Sequence, residues 1–134
     1  MELNRYSKRV YSAVIHAFPE LAEAESLEAT QGCFSIRYPS PHADVELYIS
    51  SEDDEITIAF GGWHEHIAMF EGKTEQEEIK EAIELIRSIL SDELVVAYAT
   101  VEGEWSGSWV VSDECDRKPI ENEAISLRRW TRVA

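Results

Sequence analysis

Apolar residues recur along this chain with two different periods. Over residues 3–18, Leu3, Tyr6, Val10, Ala13, Val14 and Ala17 keep the three- and four-residue spacing of one helical face, with Arg5, Lys8 and Arg9 elsewhere on the turn. Pro19 ends that helix, because the residue before a proline resists the α region. Residues 20–30 are acidic and alanine-rich and compatible with a short second helix. The period then changes to two. Phe34, Ile36 and Tyr38 alternate with Cys33, Ser35 and Arg37; Val45, Leu47 and Ile49 alternate with Glu46, Tyr48 and Ser50; Ile56, Ile58 and Phe60 follow an acidic turn. Such alternation predicts antiparallel strands with one solvated face. Gly61-Gly62 marks a turn or bend, and residues 63–70 continue as a further strand.

The helical period returns after Thr74, which forms a capping-box pattern with Glu77. The expected buried stripe is Ile79, Ala82, Ile83, Ile86 and Leu90, with Glu75, Glu78, Glu81 and Glu84 on the outer positions. Residues 94–101 and 105–112 then read as a hairpin around Glu102-Gly103, the first strand apolar on both parities and therefore central. Its partner sets Trp105, Gly107, Trp109 and Val111 on one face, which predicts a core face under a helix rather than a ligand groove. A charged loop leads to a last strand over 124–133. The expected fold is α+β: a single antiparallel sheet of about six or seven strands with two main helices packed on one face. The chain of 134 residues is expected to form one domain, 1–134, with a core that needs no metal or disulfide.

Charge narrows the function classes. With 27 acidic and 12 basic residues the net charge is −15. Such a field repels a phosphate backbone and an anionic membrane, and it speeds encounter with a basic partner. Arg128, Arg129 and Arg132 cluster near the C-terminus, where pairing with the acidic helix and loops is expected rather than a nucleic-acid stripe. The N-terminal Met1-Glu2-Leu3-Asn4-Arg5 lacks the apolar run of a signal peptide, so the cytoplasm is the expected compartment.

Candidate chemistry is sparse. His64-Glu65-His66 is the constellation with ligand spacing: two residues apart in a strand, both imidazoles face the same way, about 6.5–7 Å apart along the chain. A catalytic zinc needs a third protein ligand, which no spacing marks here. Cys115, flanked by Asp113, Glu114 and Asp116, is in the wrong electrostatic setting for a thiolate nucleophile. Cys33 reads as a packed small hydrophobe. No nucleophile elbow, P-loop or dinucleotide fingerprint occurs, and no cofactor is implied.

The run Ile58-Ala59-Phe60-Gly61-Gly62-Trp63-His64-Glu65-His66-Ile67, followed by an acidic helix and a hairpin, resembles a strand of small bacterial proteins of the toxin-immunity type. That resemblance implies a non-catalytic acidic protein that binds and neutralises a toxin, for which the charge favours a basic one. The expected binding residues are Glu52, Asp53, Asp54 and Glu55 in the hairpin and Glu75, Glu78 and Glu81 on the helix. The alternative is a metal-dependent enzyme or metal-binding protein built on His64 and His66.

Overall fold

The computed structural model of the chain describes residues 3–28, 32–52, 54–68, 73–111 and 118–133. The first helix, α1 (Arg5–Ala17), starts where the Asn4 side chain accepts a hydrogen bond from the Ser7 backbone N–H at 2.8 Å. A side-chain acceptor there satisfies one of the donors that every helix start leaves open. The helix stops at Phe18, and Pro19 opens a short 3-10 helix, Pro19–Glu23. Of the stretch expected to hold a short second helix, residues 20–23 lie in this 3-10 helix and Glu25–Glu28 form a strand, β1.

Four strands follow: β2 (Phe34–Pro39), β3 (Glu46–Glu52), β4 (Glu55–Phe60) and β5 (Trp63–Ala68). With β1 they form an antiparallel sheet in chain order, β1-β2-β3-β4-β5. Its inner face carries Phe34, Ile36, Leu47, Ile49, Ile56, Ile58 and Phe60, all buried. Its outer face carries Arg37, Tyr48, Ala59 and His64 in one cross-strand row. The period-two pattern of the sequence corresponds to this division. Both α1 and α2 (Glu75–Leu90) pack on this sheet, and Val10, Val14, Ala82, Ile86 and Ile89 complete its core.

The remaining strands, β6 (Val95–Val101), β7 (Glu104–Val111) and β8 (Glu123–Arg128), form a second antiparallel sheet in the order β7-β6-β8. The expected single sheet is therefore two. β6, the strand that reads as central, pairs with β7 and β8 on its two edges, and among the described residues neither of these pairs with a strand of the larger sheet. The smaller sheet meets the larger one where β7 lies against β5 and where Val96 and Trp130 enter the common core. Among the described residues no helix is long and apolar enough to cross a membrane.

Two further expectations need correction. In α2 the buried positions are Glu78, Ala82, Ile86 and Ile89, while Ile79, Ile83 and Leu90 are only partly buried. The helix is turned by about one position, and the small Ala82 side chain lies where the helix meets the sheet. In β7 the pairing shifts between Ala99 and Thr100, so that Ala99 faces Gly107 but Thr100 faces Trp105. This bulge puts an extra residue into β7 and sends Trp105 and Trp109 to opposite faces. Trp63 is half-buried, and the tryptophan that anchors the core is Trp130, stacked on Tyr38 with ring centroids 5.6 Å apart.

Candidate functional site

The β3–β4 hairpin turns at its acidic tip, where Glu52 and Glu55 pair across the strands. Asp54 stands in the turn with a left-handed backbone, φ 56°, which aspartate tolerates better than most residues. The hairpin, α1 and α2 converge at one end of the sheet: Ser51, beside the tip, bonds Ser7 of α1, and α1 reaches the first turn of α2 through Arg9–Glu75 and Tyr6–Glu78. Thr74 caps α2 as its spacing predicts, accepting from the Glu77 N–H at 3.2 Å. Glu75, Glu77 and Glu78 occupy the first turn, where negative charge complements the helix dipole.

The individual acids at this end differ in what they are free to do. Glu52 and Asp54 are exposed; Asp53 lies outside the described residues. Glu75 takes both forks of Arg9, at 2.6 and 2.7 Å, and Glu81 binds Lys73 at 2.6 Å. Glu55 lies 3.3 Å from His66 Nδ1. Glu78 is not a surface residue at all, contrary to expectation. It is fully buried, and among the described residues its Oε2 accepts only a long hydrogen bond from the Tyr6 hydroxyl at 3.5 Å and its Oε1 has no partner. Burial raises its carboxyl above the ordinary carboxylate range, with Asp54 and Glu75 adding to the rise and the Tyr6 hydroxyl and Lys73 opposing it. Burial, then the charges of Glu78, Asp54 and Glu75, likewise lift the Tyr6 hydroxyl.

A second polar link joins α1 to the sheet nearby. The Ser51 hydroxyl donates to that of Ser7 at 2.6 Å and accepts from the Phe34 N–H at 3.2 Å. Both serines are fully buried, so the hydrogen bonds offset the cost of removing their hydroxyls from water.

His64 and His66 lie side by side on the exposed outer face, their rings edge to face with centroids 5.0 Å apart. The strand geometry read from the sequence thus holds. His66 Nδ1 is already shared with Thr57 Oγ1, at 2.9 Å, and with Glu55. Among the described residues no group of three or more His, Cys, Asp or Glu side chains is placed to hold a metal ion. Cys33 is buried, as expected of a packed thiol; Cys115 lies outside the described residues.

The opposite end of β4 leads into Gly61-Gly62, and here the C-terminal arginines arrive. Among the described residues no ion pair joins Arg128 to the acidic helix or loops, where pairing was expected. Its guanidinium lies over the Tyr98 ring, 3.5 Å from the centroid, and its Nε is buried with no hydrogen-bond partner among the described residues. The sequence signals for this place were the glycine pair and the arginine cluster; their meeting depends on β8 pairing with β6, which no local pattern reveals.

No protein-family model matches the chain, and neither the curated proteins nor the solved structures yield a match.

Proposed function

We propose that this chain is a non-catalytic protein-binding module that docks a basic partner through its acidic end. The observation that carries the reading is the convergence of the β3–β4 tip with the first turn of α2 through α1, made by the Ser51–Ser7, Arg9–Glu75 and Tyr6–Glu78 contacts. Glu52, Asp54 and Glu77 are exposed there, in a chain of net charge −15. A field of that kind raises the rate of encounter with a cationic surface, and a few desolvated groups then set the affinity. The contact set is Glu52, Asp54, Glu55, Glu75 and Glu81, with Asp53 between the first two in sequence. Glu55, Glu75 and Glu81 contribute as paired charges that a partner's arginine or lysine would have to share or displace.

The likeness of the strand around Gly61-Gly62 to toxin-immunity proteins supports a narrower form, in which the partner is a basic toxin that the module neutralises. The test is recovery of a partner from the source cell with the tagged chain as bait. A basic protein retained at low salt and released as salt is raised supports the reading, because exposed charge pairs are screened within about 10 Å at 0.1 M. Recovery of no basic protein at low salt counts against it.

A further inference from the structure

Arg128 is the cation that the fold explains least. It pairs with Val96 across β6 and β8, on the face turned toward the Gly61-Gly62 turn. Its stem runs against Gly61 so closely that a Cβ built there would sit 3.3 Å from Arg128 Cβ and Cδ. The guanidinium is fixed over Tyr98, and that ring is itself backed by Gly62. An arginine carries five N–H donors in a rigid fork, and an aromatic face meets part of its charge while accepting none of them in the plane of the fork. Among the described residues no carboxylate pairs with Arg128 or with Arg132.

Two adjoining open clefts, each of about 430 Å³, share Arg128, Ala43 and Asp44. Arg132, His42 and Thr131 line one; Ser40, Gly61 and Gly62 line the other. We infer that this double cleft, between the loop joining β2 to β3, the Gly61-Gly62 turn and the C-terminal turn, is a binding site for an oxyanion, a carboxylate or a phosphate group, gripped by Arg128 and Arg132.

The walls are built to stay in place. Ser40 Oγ accepts from the backbone N–H groups of His42 and Ala43, at 3.1 and 3.2 Å, and donates to the Trp130 carbonyl at 2.5 Å. One hydroxyl therefore ties the β2–β3 loop to the C-terminal turn. That turn is closed by reciprocal backbone bonds between Arg129 and Arg132 and by the Arg128–Val133 bridge. Asp92 clamps it from below, accepting from both the backbone N–H and the hydroxyl of Thr131. The fork is thus held before any ligand arrives, which lowers the ordering cost of binding.

The local charge also fits. Two acids line the clefts: Glu46 is engaged by Arg37 at 3.0 and 3.2 Å, which leaves Asp44 against Arg128 and Arg132. A cationic spot in a chain of net charge −15 draws a small oxyanion, while the surrounding field disfavours a long polyanion such as nucleic acid. A planar bidentate acceptor suits the fixed fork of Arg128 better than a spherical ion.

The test is an amide and arginine side-chain NMR titration of the intact protein at low ionic strength. Sodium phosphate and sodium acetate are the two probes, and sodium chloride at matched ionic strength is the control. Saturable shifts at Gly61, Gly62 and the Arg128 Nε–H with at least one oxyanion, and none with chloride, are expected. The arm that saturates at lower concentration identifies phosphate or carboxylate as the preferred group. Arg128→Gln should weaken binding by about tenfold or more, the loss of a charge-assisted bidentate contact. Arg132→Gln, at an exposed position that the core does not need, should weaken it in the same direction and carries the test if Arg128→Gln does not fold. No saturable shift with either oxyanion, or unchanged affinity in the folded variants, overturns the site.

Discussion

The Tyr6 hydroxyl meets the Glu78 carboxyl group across the interface of α1 and α2, and this 3.5 Å contact is the only hydrogen bond to the Glu78 side chain among the described residues. A fully buried acid with one weak donor is held more comfortably as the neutral carboxyl than as the anion. Its pKa is raised in the folded state by burial, with Asp54 and Glu75 adding to the rise. The stability it contributes is therefore complete below the unfolded value of about 4.3 and is lost as pH rises through the folded value.

Glu78→Gln should accordingly stabilise the protein at pH 7, by about 1 kcal/mol, the scale of an unsatisfied buried polar group. The advantage should shrink on acidification and vanish well below the unfolded value, at about pH 3, where the wild-type carboxyl is protonated in both states. Urea denaturation of both proteins at several pH values measures this. A variant less stable than wild type at pH 7, or a difference that does not depend on pH, would mean that Glu78 is ionised and satisfied in the fold.

The orientation of α2 is tested by a pair of truncations. Ile86 is fully buried, and Ile86→Ala should cost roughly 2–5 kcal/mol. Ile83 lies at the margin of the core, and Ile83→Ala should cost roughly 1 kcal/mol. Equal losses for the two would place the helix one position away from the arrangement described.

These two residues also show where sequence reading stops. The isoleucines of α2 mark its inner side to within about one position, because a 3.6-residue period leaves neighbouring stripes nearly equivalent. What decides between them is the buried Glu78, and an acid in the first turn of a helix reads as a solvated, dipole-compatible residue until its neighbours are known. Strands β2 to β5 were legible because period two changes face at every residue, so an error of one would bury Arg37 and expose Ile36. The bulge in β7 breaks that logic: one inserted residue separates Trp105 from Trp109, and the sequence carries no separate sign of it. The division into two sheets and the meeting of Arg128 with Gly61-Gly62 both depend on which strands pair. That choice is made between segments far apart in sequence, beyond the reach of any local period.

Gly62 has a requirement that the glycine pair alone does not state. Its φ is +91°, and a Cβ there would lie 2.8 Å from two ring carbons of Tyr98. Gly103 also has a positive φ, +83°, but faces open space. Gly62→Ala should therefore cost roughly 2 kcal/mol or more, against roughly 1 kcal/mol for Gly103→Ala. Thermal or chemical unfolding compares them directly. If the two variants lose the same stability, Tyr98 does not pack on the turn as described.

The measurement that bears most directly on the proposed function is charge reversal at the hairpin tip. Glu52→Lys with Asp54→Lys changes two exposed side chains at the acidic end, while Glu104→Lys with Glu121→Lys makes the same change in net charge at exposed positions in other loops and strands. Binding of the recovered basic partner is then measured for both variants and the wild type at one salt concentration. The account predicts that the tip variant binds at least about tenfold more weakly than the control variant, the loss expected when two interface charges become repulsive. Equal weakening in the two variants would mean that only the overall charge of −15 matters, and that the acidic end is not where the partner docks.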